Sequence, residues 1–176
     1  ILIDHKDEWA SAISADFGNR SKHETLMAEI FTSITSIKHC RKHLAKWMKP
    51  KKAPIAMEFK PGRGKIIYQA RGVVGIISPW NYPLQLAIIP LAQALAAGNR
   101  VMIKPSELTP RTSDLLQKTL SENFPQDEVA VVTGGADVGA IIRQSARNAR
   151  RYRPDAWQPA TAALPVRDPG ASPGLP

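Results

Sequence analysis

The sequence lacks the features that mark several large protein classes. Its 176 residues contain a single cysteine, Cys40, which rules out an internal disulfide framework and fits the reducing interior of a cell. No run of about 18 apolar residues occurs, which argues against a transmembrane helix. The opening residues, ILIDHKDEWA, have no basic flank followed by an apolar core, so no signal peptide is expected. These absences predict a cytoplasmic protein with no membrane partner.

The net charge of +9 is distributed in a way that does not favour nucleic-acid binding. Six Arg and two Asp fall in residues 143–176, and the densest run elsewhere is KPKK at 49–52. That run lies at a predicted helix end, where the helix dipole favours cations. Aromatic residues are not interleaved with the basic ones in a binding platform. We expect no nucleic-acid partner; the alternative, a basic binding surface, would require salt-sensitive retention on nucleic acid.

The first 50 residues show helical periodicity. Trp9, Ile13 and Phe17 recur every four residues, and Gly18 follows as the expected C-cap. Ser21 and Glu24 have the spacing of a capping box in front of a longer amphipathic helix that ends before Pro50. The stretches IAMEF and KIIYQ then flank KPGRG, which predicts a β-hairpin over 55–69.

The longer helix also carries His39, Cys40 and His43, a combination that could suggest a metal site. Structural metal sites need a third and a fourth ligand, and none is suitably spaced. We therefore expect no bound metal ion.

From residue 72 the pattern changes to strands alternating with helices. GVVGIIS, NRVMIK and EVAVVTGG are apolar runs typical of strands buried on both faces. Between them lie a helical stretch with Pro90 inside it and a second helix with Thr109 as N-cap and Pro110 at its first position. This order predicts an α/β fold with part of a doubly wound, Rossmann-like parallel sheet.

Polar residues and glycines follow the ends of these predicted strands. They are Asn81, Lys104, Glu107, Gly134 and Gly135. Ligands of open α/β sheets bind at that edge, where a carboxylate such as Glu107 can bind a ribose diol and repel a 2′-phosphate, favouring NAD over NADP. The amide of Asn81, held between aromatic residues and prolines, suits stabilisation of an oxyanion. The plainer alternatives are a turn-forming asparagine and a surface turn at KPSE.

The stretch from Gly72 to Leu116, with its PWNYP and KPSE motifs, resembles the aldehyde dehydrogenase superfamily. The upstream DFGNRSKHET, HLAKWMKP and YQARGVVGII are most similar to its coniferyl-aldehyde dehydrogenase branch. The resemblance covers about residues 1–140. It implies an NAD-dependent oxidation of an aldehyde to a carboxylic acid, in a homo-oligomer that uses the hairpin at 55–69.

The resemblance also implies roles for individual residues. Asn81 corresponds to the oxyanion-hole amide. Ser78, Pro79 and Trp80 line the approach to the nicotinamide and pyrophosphate. Lys104 and Glu107 contact the adenosine ribose, and Gly134 and Gly135 form a turn beside the adenine.

The last part of the sequence departs from the family pattern. The Phe-Thr-Gly-Ser turn, the Glu-Leu-Gly-Gly stretch with its general-base glutamate and the nucleophilic cysteine are not found, and Cys40 lies too far upstream to substitute. Residues 143–176 hold no Lys, Glu, Ile, Met or Phe and six prolines, which predicts disorder. We expect this tail to be an out-of-frame or fused segment; the alternative is a genuine disordered tail.

The expected organisation is therefore N-terminal helices with an oligomerisation hairpin over 1–71, a partial NAD-binding domain over 72–142 and a non-native tail over 143–176. On this interpretation the chain itself would be inactive. The alternative function is a non-catalytic fragment that pairs with intact subunits.

Overall fold

Helices and a hairpin precede a parallel sheet in the computed structural model, which describes residues 1–151. The elements in chain order are α1 (Lys6–Asp16), α2 (Lys22–Glu24), a π-helical segment (Thr25–Phe31), α3 (Thr32–Trp47), β1 (Lys51–Ala53), a 3-10 turn (Met57–Phe59), β2 (Gly64–Ile66), β3 (Val73–Ile77), α4 (Gln85–Ala96), β4 (Arg100–Lys104), α5 (Pro110–Asn123), β5 (Val129–Val131) and α6 (Ala136–Arg151). Through Arg151, no helix combines the length and apolarity needed to cross a membrane.

The sheet has the order β3-β4-β5, and all three strands are parallel. Because connections between parallel strands are right-handed, the strand order β3-β4-β5 puts α4 and α5 on one face. Helix α6 packs against β3 and β4, the same strands that α4 contacts. Since α4 already occupies one face of these strands, α6 covers the opposite face. The predicted α/β fold with helices on both sides of a parallel sheet is confirmed.

Burial differs between the strands in a way that the apolar runs do not reveal. In β4 the side chains of Val101, Ile103 and Lys104 are all buried, as expected for an inner strand. In β3 only Ile76 is buried, and Ile77 is 48% exposed. The expectation of burial on both faces is wrong for β3, because it is an edge strand within the described residues.

The N-terminal helices pack against the helices of the sheet and share one hydrophobic core with them. Trp9 and Ile13 of α1 are fully buried in the cluster that also contains Leu84, Leu116 and Leu120. As predicted, α1 gives way to Gly18, whose φ of +65° is the left-handed conformation that glycine tolerates.

A carboxylate at the end of α1 caps α5, one of the helices that connect the strands of the sheet. Asp16, the last residue of α1, accepts hydrogen bonds from the backbone N–H groups of Arg111 and Thr112 at 3.1 and 2.8 Å. The predicted N-cap Thr109 precedes α5, but its side chain makes no capping hydrogen bond. The free N–H groups at this helix start are satisfied from 95 residues away.

The predicted long helix is present as α2, the π-helical segment and α3 in succession, but its capping box is not. Ser21 precedes the helix without a side-chain capping bond. Glu24, the other expected partner, instead accepts a hydrogen bond from Arg20 at 2.7 Å. In this bond both donor and acceptor are charged, which favours it over a bond between Glu24 and an uncharged backbone N–H.

The hairpin is also displaced from its predicted position. The first strand is Lys51–Ala53, which pairs antiparallel with Gly64–Ile66. The stretch predicted as the first strand instead contains the turn Met57–Phe59. Ile55 lies so close to Gly64 that a Cβ added there would be 2.7 Å from its side chain, so Ile55 covers the glycine instead of continuing the strand.

Residues 143–151, expected to begin a disordered tail, continue helix α6. Buried Ile142 anchors this helix, and the Ala, Arg and Gln that follow are strong helix formers even though they add little apolar surface. The prediction of disorder for the remaining 25 residues falls outside the described residues.

Replacing Asp16 with alanine should lower the free energy of unfolding by about 1–2 kcal/mol, since it leaves two N–H groups of α5 without their acceptor. Urea denaturation of the full chain measures this change. The control is Glu122→Ala, which removes an exposed carboxylate near the other end of α5 and should leave stability within about 0.5 kcal/mol. Equal stability of the two variants would contradict the proposed cap.

Candidate functional site

The loop SPWNYP leaves β3 and closes on itself through Ser78. The Ser78 N–H donates to the carbonyl oxygen of Lys104 at 3.0 Å, which extends the β3–β4 pairing by one bond. Its hydroxyl donates to the carbonyl oxygen of Pro83 at 3.3 Å, and both residues are buried. The side chain of Ser78 is thus occupied within the loop.

The middle of the loop is exposed. Pro79 and Asn81 are exposed, and Trp80 is 52% exposed with its ring centroid 6.2 Å from that of Phe17. The carbonyl oxygen of Asn81 accepts a hydrogen bond from Arg20 Nη1 at 3.0 Å. Within the described part of the chain, the side-chain amide of Asn81 makes no hydrogen bond. Its backbone is therefore held while its N–H donors stay available.

Asn81 lines an open pocket of about 360 Å³. The other lining residues are Phe17, Asn19, Arg20, Glu24 and Tyr82. Apart from Tyr82, all of these come from the end of α1, the connection after it and α2. The N-terminal helices therefore form the wall of this pocket opposite the loop.

Sequence reasoning missed Glu29, the fully buried carboxylate behind the loop. Its Oε2 accepts hydrogen bonds from the N–H groups of Leu84 and Gln85 at 2.8 and 3.1 Å, where α4 begins. Its Oε1 lies 3.4 Å from Arg20 Nη1. Burial raises the pKa of Glu29, while the two backbone donors and the Arg20 charge act in the opposite direction. The available signal was the position of this carboxylate three residues after Leu26 in LMAEIF, on the apolar face of the predicted helix.

Lys104 and Glu107 form an ion pair at the end of β4. Lys104 is buried, and its Nζ donates to the Pro105 carbonyl oxygen at 3.1 Å and to Glu107 Oε2 at 2.5 Å. The hydrogen bond from Lys104 holds the pKa of Glu107 below its ordinary value. With its pKa lowered, the carboxylate of Glu107 is ionised at neutral pH. Because this side chain is 49% exposed, the carboxylate is also accessible to a ligand.

Gly134 and Gly135 turn the chain from β5 into α6. Gly134 has a φ of +147°, and a Cβ built on it would lie 2.5 Å from Val138 Cγ2. Gly134 and Glu107 line one small pocket of about 160 Å³. The remaining lining residues are Pro105, Ser106, Pro110, Ser113, Asp114 and Thr133.

The structure thus brings together Glu107 and Gly134, and it places Asn81 in a different pocket. Ser78, Pro79, Trp80, Lys104 and Gly135 line neither of the two pockets. Lys104 and Ser78 are nevertheless joined by the bond between adjacent strand ends.

The residues considered for a metal site lie elsewhere. The ring centroids of His39 and His43 lie 4.2 Å apart on α3 with their planes tilted by 30°, His43 stacks on Trp47, and Cys40 is buried. No group of three or more His, Cys, Asp or Glu side chains suited to a metal ion is found among the described residues.

A parallel sheet with helices on both faces, and with polar residues and glycines past the carboxyl ends of its strands, defines an α/β protein of the doubly wound class. Comparison with known proteins gives the family. A model of the aldehyde dehydrogenase family matches residues 1–149, and the chain belongs to that family.

Individual relatives agree with this assignment. The chain is 50% identical over 142 residues to the "Probable coniferyl aldehyde dehydrogenase" of Pseudomonas aeruginosa, a match that covers 81% of this chain and 30% of the relative. It is 49% identical over 142 residues to the "Coniferyl aldehyde dehydrogenase" of a Pseudomonas species, covering 81% and 29%. The substrate-bound state of Staphylococcus aureus AldH superposes with a TM-score of 0.74 at 31% identity, covering 84% and 36%.

The chain therefore spans about 30% of the length of these curated relatives. The predicted resemblance to the family and to its coniferyl-aldehyde branch is confirmed. The solved relative confirms the predicted Rossmann-like sheet, and membership of the family implies a nicotinamide cofactor.

Replacing Gly134 with alanine should destabilise the chain by about 1–3 kcal/mol, because its φ is unfavourable for a side chain and the new Cβ would clash with Val138. Gly139→Ala is the matched control. A Cβ at that helical position would contact only the side chain of Lys104, whose Cδ lies at an ordinary 3.6 Å, so this substitution should stabilise α6 by about 0.5–1 kcal/mol. Thermal unfolding of both variants should give shifts of opposite sign; a stabilised Gly134 variant would contradict this geometry.

Proposed function

We propose that this chain supplies the oxyanion-stabilising amide and cofactor contacts of an enzyme that oxidises an aldehyde to a carboxylic acid. The observation that carries the proposal is that Asn81 lines an open pocket and that its side-chain amide makes no hydrogen bond among the described residues, while Arg20 holds its backbone. An amide N–H that projects from a fixed backbone stabilises negative charge as it develops on the aldehyde oxygen. It has no proton to lose at neutral pH.

The residues at the end of β4 fit the adenosine half of a nicotinamide cofactor. Glu107 presents an ionised, half-exposed carboxylate that can accept hydrogen bonds from ribose hydroxyl groups. Lys104 fixes that carboxylate, and Gly134 leaves room in the same pocket. The cofactor, when bound, supplies the hydride acceptor. Because a carboxylate repels a 2′-phosphate, we propose NAD in preference to NADP.

The described residues hold the oxyanion and the cofactor rather than supplying the nucleophile. Cys40 is buried in α3 and does not line the pocket of Asn81. The identity to relatives named as coniferyl aldehyde dehydrogenases supports an aromatic aldehyde as the substrate class. The single cysteine of this chain, Cys40, forms no disulfide, which supports a cytoplasmic location.

A second candidate function is pairing with intact subunits. The hairpin and the 3-10 turn expose large apolar side chains: Met57, Phe59, Ile66, Ile67 and Tyr68. Exposed apolar clusters of this kind mark protein–protein contacts. They support a homo-oligomer built through this region, either of the active enzyme or of a mixed, inactive assembly.

Asn81→Ala should lower kcat by about 10²–10³-fold, as expected for removal of an oxyanion donor. The measurement uses a chimera in which the 142 matched residues of this chain replace their counterparts in the Pseudomonas aeruginosa relative. Binding of NAD should be unchanged, because the amide contacts the reacting oxygen and not the adenosine. A fully active Asn81→Ala chimera would refute the role of the amide; an inactive parent chimera that still assembles would favour the pairing function.

Glu107→Gln should weaken NAD binding to the same chimera by about 3–10-fold, because the glutamine amide oxygen still accepts a hydrogen bond but lacks the charge that strengthens it. The substitution should also reduce the preference for NAD over NADP. Calorimetric titration with each nucleotide measures both effects. Glu122→Gln, an exposed carboxylate elsewhere on α5, is the control.

The pH dependence of NAD binding provides a second check on Glu107. Its pKa is held below the ordinary 4.5, so the carboxylate is ionised throughout the neutral range. The Glu107 contribution should therefore be constant above pH 4.5 and be lost as the pH falls through the lowered value. A contribution that disappears on acidification already well above pH 4.5 would contradict the ion pair with Lys104.

A further inference from the structure

Arg20 occupies a central position between the N-terminal helices and the loop that carries Asn81. Its side chain is only 6% exposed. Positive φ values at Gly18 and Asn19, of +65° and +98°, turn the chain so that the guanidinium group points back toward the loop. The guanidinium carbon lies 4.8 Å from the ring centroid of Phe17 and 4.6 Å from that of Tyr82. Contacts with two aromatic rings leave this cation little freedom.

The polar contacts of Arg20 connect both ends of a short segment. Nη1 donates to the carbonyl oxygen of Asn81 at 3.0 Å, and the same atom lies 3.4 Å from Glu29 Oε1. The other oxygen of Glu29 accepts from the N–H groups of Leu84 and Gln85. Arg20 and Glu29 together thus hold residues 81–85 from outside the loop.

The contact to the Asn81 carbonyl is the one that bears on the amide. That carbonyl belongs to the peptide group between Asn81 and Tyr82, so the hydrogen bond fixes the backbone from which the side chain of Asn81 projects. The amide itself has no partner among the described residues that could orient it. A backbone rotation at this point would therefore carry the amide with it.

We propose that Arg20 is a positioning residue for the amide of Asn81, and that its bond to the Asn81 carbonyl sets the direction in which the oxyanion donors point. This inference rests on the function proposed above. Displacement of a catalytic group by about 1 Å can lower a rate by about 10²-fold. Loss of Arg20 should therefore reduce turnover more than it reduces substrate or cofactor binding.

The geometry can be tested without any activity, in the full 176-residue chain labelled with ¹⁵N. Arg20→Met keeps a long, flexible side chain and removes the donors. The side-chain amide signals of Asn81 and the backbone signal of Tyr82 should shift, while signals of the sheet strands stay in place. Lys22→Met is the matched control, because Lys22 pairs with Asp7 across an exposed surface and does not line the Asn81 pocket. Unchanged Asn81 and Tyr82 signals in folded Arg20→Met would overturn the inference.

The consequence for turnover can be measured in the chimera with the relative's remaining residues. Arg20→Met should lower kcat by about 10–100-fold, while KM for the aldehyde and Kd for NAD change by less than about threefold. A purely structural role would lower the amount of folded enzyme without this division between kcat and binding. Lys22→Met should match the parent chimera.

Arg20→Lys decides the case if Arg20→Met does not fold. Lysine keeps the charge beside Glu29, but it cannot reproduce the planar fork that reaches several acceptors at once. The kcat of the Arg20→Lys chimera should lie between those of the parent and of Arg20→Met. A kcat equal to that of the parent would overturn the inference. An inactive parent chimera would count against the proposed function itself, whereas an active parent with insensitive Arg20 variants would count only against the role of Arg20.

Discussion

The buried contact between Arg20 and Glu29 is the interaction on which the arrangement of the loop and α4 depends. A fully buried carboxylate is unfavourable unless it is paired and hydrogen-bonded. Glu29 obtains two backbone N–H donors at the start of α4 and the nearby cation of Arg20. Removing either partner would leave a charge without compensation in the interior. The pair therefore favours one placement of the loop over the alternatives.

Capping from a distance recurs in this structure and joins its two halves. Glu29 satisfies the start of α4, and Asp16 satisfies the start of α5. Both helices connect strands of the parallel sheet, yet their free N–H groups are matched by the first 29 residues of the chain. Helix starts that lack such partners are costly when buried. The sheet helices are thus completed by the N-terminal helices, with which they also share the core around Trp9 and Leu116.

Features set by local pattern could be predicted from the sequence. The alternation of apolar runs and helical stretches predicted the parallel sheet. Asn81, Lys104 and Glu107 could be proposed as site residues because each lies at or just after the end of an apolar run. Features set by distant partners could not be predicted. The hydrogen-bond acceptor of Arg20 is the carbonyl oxygen of Asn81, 61 residues away in the sequence, and no local pattern predicts such a contact. The first strand of the hairpin was misplaced for a related reason, since Ile55 packs over Gly64 instead of extending a strand.

The spacing between the two candidate pockets follows from the register of the sheet. Ile77 lies opposite Lys104, and the next residue, Ser78, donates its N–H to the Lys104 carbonyl. The loop with Asn81 and the turn with Glu107 therefore start from neighbouring strands that lie about 4.8 Å apart. A strand slip of one residue would turn every side chain of β3 to the other face and disconnect the loop from Arg20. The proposed oxyanion and ribose contacts are thus held at one separation by backbone pairing, while Arg20 and Glu29 set the orientation of the loop on that frame.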